Sequence, residues 1–251
     1  MKRIAWAVAL LMGLMLGCRT TEPREASVDG QGPAHRLFRQ FREYLALIQA
    51  GAGDISREAD RAADQFLAHG VLVVAPNQDS FLFEQWGRAS GLGAAAKWNP
   101  GAKKLGKDDL LLLALEPTTD YPGAGEDWLR EAYGSGASIV LFSSPEEPAA
   151  ITKTGTVQFA VTDFAGFIDN RTGGRPFTFM AEKEGPPRQV YLSGLMNMLN
   201  GLLFQGELAA ACTRRGKMPV FWLSFALDEP QGFPRAARLS KAIKPGKLWG
   251  E

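Results

Sequence analysis

Apolar residues recur at helical spacing through Leu37, Phe38, Phe41, Tyr44, Leu45 and Ile48. The pattern resumes after the Gly51-Ala52-Gly53 break through Ile55, Ala59, Ala62, Ala63, Phe66 and Leu67. This 3.6-residue period predicts two amphipathic helices. The pattern then changes to continuous apolar runs at 71–75, 110–115 and 138–142, the mark of strands buried on both faces. Residues 157–161 predict a fourth strand and 167–168 a short fifth. Between them, helices are expected over 81–90 and 126–133, and a long one over 189–215 that carries Leu195, Met198, Leu199, Leu202 and Leu208. Glycines at 194, 201 and 206 weaken an exposed helix by up to about 1 kcal/mol each, so close packing is expected there. Residues 219–224 read as a last extended segment. Strands that alternate with helices predict an α/β three-layer sandwich, with a mainly parallel five-stranded sheet flanked by helices and right-handed connections.

The chain begins differently. Lys2 and Arg3 are followed by an apolar stretch to Leu16, then Gly17 and Cys18. A charged start and a run too short to span a bilayer, which needs roughly 20 residues, fit a signal peptide over 1–17. Leu14-Met15-Leu16-Gly17-Cys18 resembles the lipobox of bacterial lipoproteins, in which the cysteine receives a diacylglyceryl group; Met15 stands where leucine is usual. The resemblance implies export, cleavage before Cys18 and attachment to a membrane through lipid on Cys18. Loss of Lys2 and Arg3 takes the formal charge from +1 to −1, so no polybasic patch would aid adhesion. Residues 18–34, rich in Thr, Glu, Pro, Gly and Ser, read as a flexible tether, 35–239 as the folded domain and 240–251 as a flexible tail.

Composition narrows the chemistry. A 45% hydrophobic and 22% charged chain of 251 residues builds a core, and a net charge of +1 gives nucleic acid no basic surface. Two cysteines and two histidines point away from a disulfide scaffold and a metal site. Neither GxGxxG nor a Walker loop occurs, so no cofactor is expected.

In open α/β sheets, ligands gather beyond the carboxyl ends of the strands. The segment GVLVVAPNQDSFLFEQWGRASGL at 70–92 resembles the sugar isomerase (SIS) family there, with Ser80, Glu84, Arg88, Ala89, Gly91 and Leu92 at matching positions. KDDLLLLALE and EDWLREAYGSGASIVLFSS follow the same family order, as do Ile168-Asp169-Asn170 and MPVF with Ser224 and Leu227-Asp228. The resemblance covers roughly residues 36–230. It implies a phosphosugar-binding fold, a homodimer, and carboxylates that move protons on a sugar. The phosphate loops depart from the family. Ala75-Pro76-Asn77-Gln78-Asp79-Ser80 and Glu116-Pro117-Thr118-Thr119-Asp120-Tyr121-Pro122 place acids and prolines where amide and hydroxyl donors normally surround an anion.

The candidate ligand-binding residues are therefore Asn77, Gln78, Ser80, Thr118, Thr119, Ser143, Ser144 and Asn170, with Glu84 as a general acid or base. Each has a plainer reading: Ser80 as a helix cap, Glu84 as a partner of Arg88, and Asp169-Asn170 as a turn. Arg171 and Arg175 offer a clamp for an acidic substituent. The expected function is lipid-anchored, non-catalytic binding of a carbohydrate derivative or phosphosugar-like ligand. The alternatives are a sugar or phosphosugar isomerase or lyase using Glu84, and a cell-envelope interaction protein whose pocket is lost.

Overall fold

The computed structural model describes residues 32–69, 72–75, 79–87, 95–99, 104–115, 130–146, 164–180, 185–217 and 219. The expected signal peptide, nearly all of the tether, the strand at 157–161, the extended segment beyond Pro219 and the tail lie outside them.

Two helices lead the fold, α1 (Pro33–Ala50) and α2 (Ala52–His69). Proline at the first helical position suits α1, because its missing N–H belongs to the turn that has no intrahelical acceptor. The compact body begins at Gln40, within α1. Gly51 separates the helices, and a Cβ there would lie 2.8 Å from Nη2 of Arg171. A side chain at this position would make that guanidinium shift.

The sheet comprises β1 (Leu72–Val74), β2 (Ala95–Lys97), β3 (Leu110–Ala114), β4 (Ser138–Ser143) and β5 (Gly166–Asp169), in the order β2-β1-β3-β4-β5. All four pairings are parallel, with Leu72 opposite Leu110 and Leu112 opposite Val140. This is the mainly parallel, helix-flanked sheet expected from the apolar runs. One of its strands differs: Ala95–Lys97, with two alanines and no bulky side chain, pairs with β1 at the edge.

Alternation along the strands assigns two cores. Leu72, Val74, Leu110, Leu112, Val140 and Phe142 share one face, where Phe142 meets Phe81 at 5.1 Å and Phe204 at 5.7 Å between ring centroids. Val73, Leu111, Leu113, Ile139 and Leu141 share the other, packed with Trp98, Leu105, Phe164 and Ala132 of helix α4, described over 130–134. Both faces are dry, which is why the strands read as unbroken apolar runs. Phe81 belongs to α3 (Asp79–Leu82), which widens into a π-helical turn over Phe83–Gly87.

A hairpin of β6 (Phe177–Phe179) and β7 (Arg188–Val190) follows the sheet. The long helix α5 runs over Ser193–Arg214, four residues later than its expected start at 189. Val190 fits a helical period as well as it fits a strand, but pairing with Phe177 places it in β7. α5 packs along α2 and against β3 and β4. Cys212 is buried in it, and burial pushes its thiol up to about 11, which makes it an inert apolar residue.

At the far end of this helix pair Arg215 donates to Asp60 at 2.9 Å and to Asp64 at 2.7 Å, and Arg214 reaches Asp60 at 3.1 Å. Hydrogen bonds from Arg215, then from Arg214, hold the Asp60 carboxyl down at about 2. A depressed carboxylate stabilises the fold above its unfolded value, about 3.9, and that contribution disappears as pH falls through the folded value. Asp60→Asn is therefore expected to flatten the loss of stability between about pH 4 and pH 2, measured as the urea midpoint at each pH. Equal acid sensitivity in the two proteins would refute the assignment.

Candidate functional site

The carboxyl ends of β3, β4 and β5 carry a set of buried polar residues: Ser143, Ser144, Asn170 and Thr172 from the strand ends, and Ser193, Asn197 and Asn200 from α5. Burying amides and hydroxyls is unfavourable unless each finds a partner. Asn170 does so completely at its oxygen, which accepts from the Thr172 amide at 3.0 Å and the Thr172 hydroxyl at 2.8 Å. Its Nδ2 donates to Oδ1 of Asn197 at 3.0 Å. Asn197 in turn donates to the Leu115 carbonyl at 2.6 Å, just past the end of β3. One amide on α5 thus ties two strand ends separated by β4.

A second amide pair anchors the π-helical turn. Gln205 donates to the backbone oxygen of Gln85 at 3.0 Å and to its Oε1 at 2.7 Å, and Gln85 Nε2 donates to the Met198 carbonyl at 3.1 Å. Gly201 lies beneath this contact. π-helical turns often accompany functional sites, and this one holds Glu84, half-buried beside the inward-facing Gln85.

At the end of β5 the chain turns through Arg171, a non-glycine residue at φ 64°. That conformation costs about 1–2 kcal/mol for an L-residue. Asp169 offsets it by accepting from the Arg171 amide at 2.7 Å and from its Nη1 at 3.1 Å. Nη2 of Arg171 reaches Asp54 of α2 at 3.1 Å. Its guanidinium is thus held between two carboxylates of the protein, while Arg175 is exposed.

The sequence-derived candidates divide accordingly. Ser143 and Ser144 stand at the carboxyl end of β4 and are fully buried, with the Ser143 hydroxyl donating to the Ser144 carbonyl at 3.1 Å. Asn170 joins them as part of the interior network. Ser80 is the second residue of α3. Asn77, Gln78, Thr118 and Thr119 lie outside the described residues, as does Arg88. Residue-by-residue reading overlooked Asn197, Asn200, Gln85 and Gln205. Part of the signal was available: Ser193, Asn197 and Asn200 recur at i, i+4 and i+7 on one face of a largely apolar helix, where buried amides need partners; Gln205 lies on a different face.

Among the described residues no three His, Cys, Asp or Glu side chains converge as metal ligands, and no helix is long and apolar enough to cross a membrane. No family model matches the chain, and no curated protein matches its sequence.

Proposed function

We propose that this is a lipid-anchored SIS-like domain that binds a carbohydrate derivative without turning it over, exported and held to the membrane through Cys18, and paired with a second copy. The observation that carries the reading is the strand order. In β2-β1-β3-β4-β5 the chain leaves β1 toward one edge and returns at β3 toward the other. The strand order therefore reverses between β1 and β3, and ligands of doubly wound sheets lie outside the carboxyl ends of the strands at such a switch point. In the sequence, Asn77, Gln78 and Ser80 follow β1, and Thr118 and Thr119 follow β3. These are hydroxyl and amide groups suited to a sugar's own hydroxyls, and Asp79, Glu116 and Asp120 disfavour a phosphate dianion. Glu84 follows on the π-helical turn, at the rim of the same loops in sequence.

The test is thermal unfolding of the full chain in detergent against neutral sugars, amino sugars, muropeptide fragments and sugar phosphates. A ligand at one hundred times Kd is expected to stabilise the protein by about 2.7 kcal/mol. Neutral or amino sugars are expected to act, and Thr118→Val to abolish the shift. Stabilisation by sugar phosphates alone would reverse the charge argument, and no shift with any of them would remove the binding reading. Turnover of a bound sugar that Glu84→Gln abolishes while the shift persists would convert the domain into an enzyme.

A further inference from the structure

The π-helical turn over Phe83–Gly87 has its polarity reversed. Gln85 is fully buried, whereas Phe83 and Trp86, on either side of it in sequence, are 55% and 38% exposed. A folding chain ordinarily turns aromatic rings inward, because they bury the largest apolar area, and leaves amides outside, because a buried amide needs dedicated partners. Here those partners are built in: Gln205 donates to Oε1 of Gln85, and its Nε2 donates to the Met198 carbonyl. Two rings are thus presented to solvent from a turn locked from within. Trp98, by contrast, is fully buried in the core.

The turn stands at the end of the sheet where ligands gather. Met198 adjoins Asn197, whose amide reaches the Leu115 carbonyl just past β3, so Gln85 is moored near that level. The chain arrives there from β1 through α3, and the strand order reverses between β1 and β3.

The exposed area selects the occupant. An aromatic side chain carries about 150–250 Å², so the outward parts of Phe83 and Trp86 amount to roughly 200 Å². A stable protein interface takes about 800 Å² from each partner, so the patch is too small to hold a second copy. It is of the scale of one sugar ring. A pyranose matches it chemically as well, with C–H groups on its faces and hydroxyls around its edge. The faces of aromatic rings are electron-rich and attract polarised C–H groups. Glu84, half-buried between the two aromatics in sequence, has carboxylate oxygens that accept from hydroxyls.

We propose that Trp86, with Phe83 on the same turn, is the stacking platform for a pyranose ring, and that Glu84 accepts from the ring's hydroxyls; this rests on the carbohydrate-binding reading above. The platform makes the site selective for ring sugars over open-chain polyols.

Calorimetric titration of the full chain in detergent with methyl β-glucoside, N-acetylglucosamine and sorbitol, which has the hydroxyls but no ring, tests this. At least one of the ring sugars is expected to bind, and sorbitol to show no binding at about 10 mM. Trp86→Leu keeps apolar bulk but loses the π face, and is expected to weaken the ring sugar about tenfold; Trp86→Phe is expected to stay within about threefold of wild type. Equal loss in both variants, or a lowered urea midpoint of the unliganded Trp86→Leu protein that accounts for its loss, would assign Trp86 to packing and overturn the platform. Failure of the wild type to bind either ring sugar would remove the carbohydrate reading and the platform with it. Wild-type affinity in Trp86→Leu, or sorbitol binding as well as the ring sugars, would overturn the platform alone, as would conversion of a dimer into monomers by Trp86→Leu.

Discussion

Replacing Asn197 with leucine is expected to destabilise the protein by about 2–6 kcal/mol, although the side chain is of similar size. The substitution strands two buried groups, the Leu115 carbonyl and Nδ2 of Asn170. Each costs about 1–3 kcal/mol when left without a partner. Asn170, Asn197 and Leu115 are all fully buried, so bulk solvent does not reach the stranded groups. Urea unfolding followed by circular dichroism measures the change. The Asn170→Leu, Asn197→Leu pair should couple by about 0.5–3 kcal/mol in a double-mutant cycle, since both residues serve one network. Additive effects would mean that each amide acts alone.

Gly201→Leu should be nearly as damaging, by about 3 kcal/mol, for the opposite reason of excess volume. Even a bare Cβ at this position would lie 2.5 Å from Nε2 of Gln85 and 2.7 Å from Cε2 of Phe81. Both neighbours are fully buried, and Gln85 is further held by Gln205 and by the Met198 carbonyl. Gly201→Ala is the useful comparison. Its clash is opposed by a gain of about 1 kcal/mol in helix propensity, so its net effect should be clearly smaller than that of leucine. Comparison with Gly206→Ala, where an added Cβ meets nothing, isolates the packing component. An unchanged midpoint in Gly201→Leu would show that the π-helical turn yields freely.

How much of this was legible beforehand depends on what each residue had to satisfy. Leu110–Ala114 and Ser138–Ser143 were plain in the sequence because strands covered on both faces must be apolar throughout. β2 was not, since Ala95-Ala96-Lys97 offers neither a run nor an alternation. The hairpin was hidden for a related reason: Arg188, Gln189 and Val190 are all exposed, so no buried face disciplined their pattern. Within the candidate site, strand-end position pointed to Ser143, Ser144 and Asn170, but not to what they do there. Whether a polar side chain faces a crevice or another amide depends on the element opposite. That element, α5, lies more than twenty residues further along the chain from Asn170.

The unbroken leucines of β3 leave one problem that their apolarity cannot solve. Sliding that strand by a single residue exchanges leucine for leucine on either face, so oiliness alone barely distinguishes the correct alignment from its neighbours. Asn197 does distinguish it, because only one alignment brings the Leu115 oxygen beneath its amide. The polar contacts at the carboxyl end of the strands thus act as an index mark, giving a uniform apolar strand a single position to settle in.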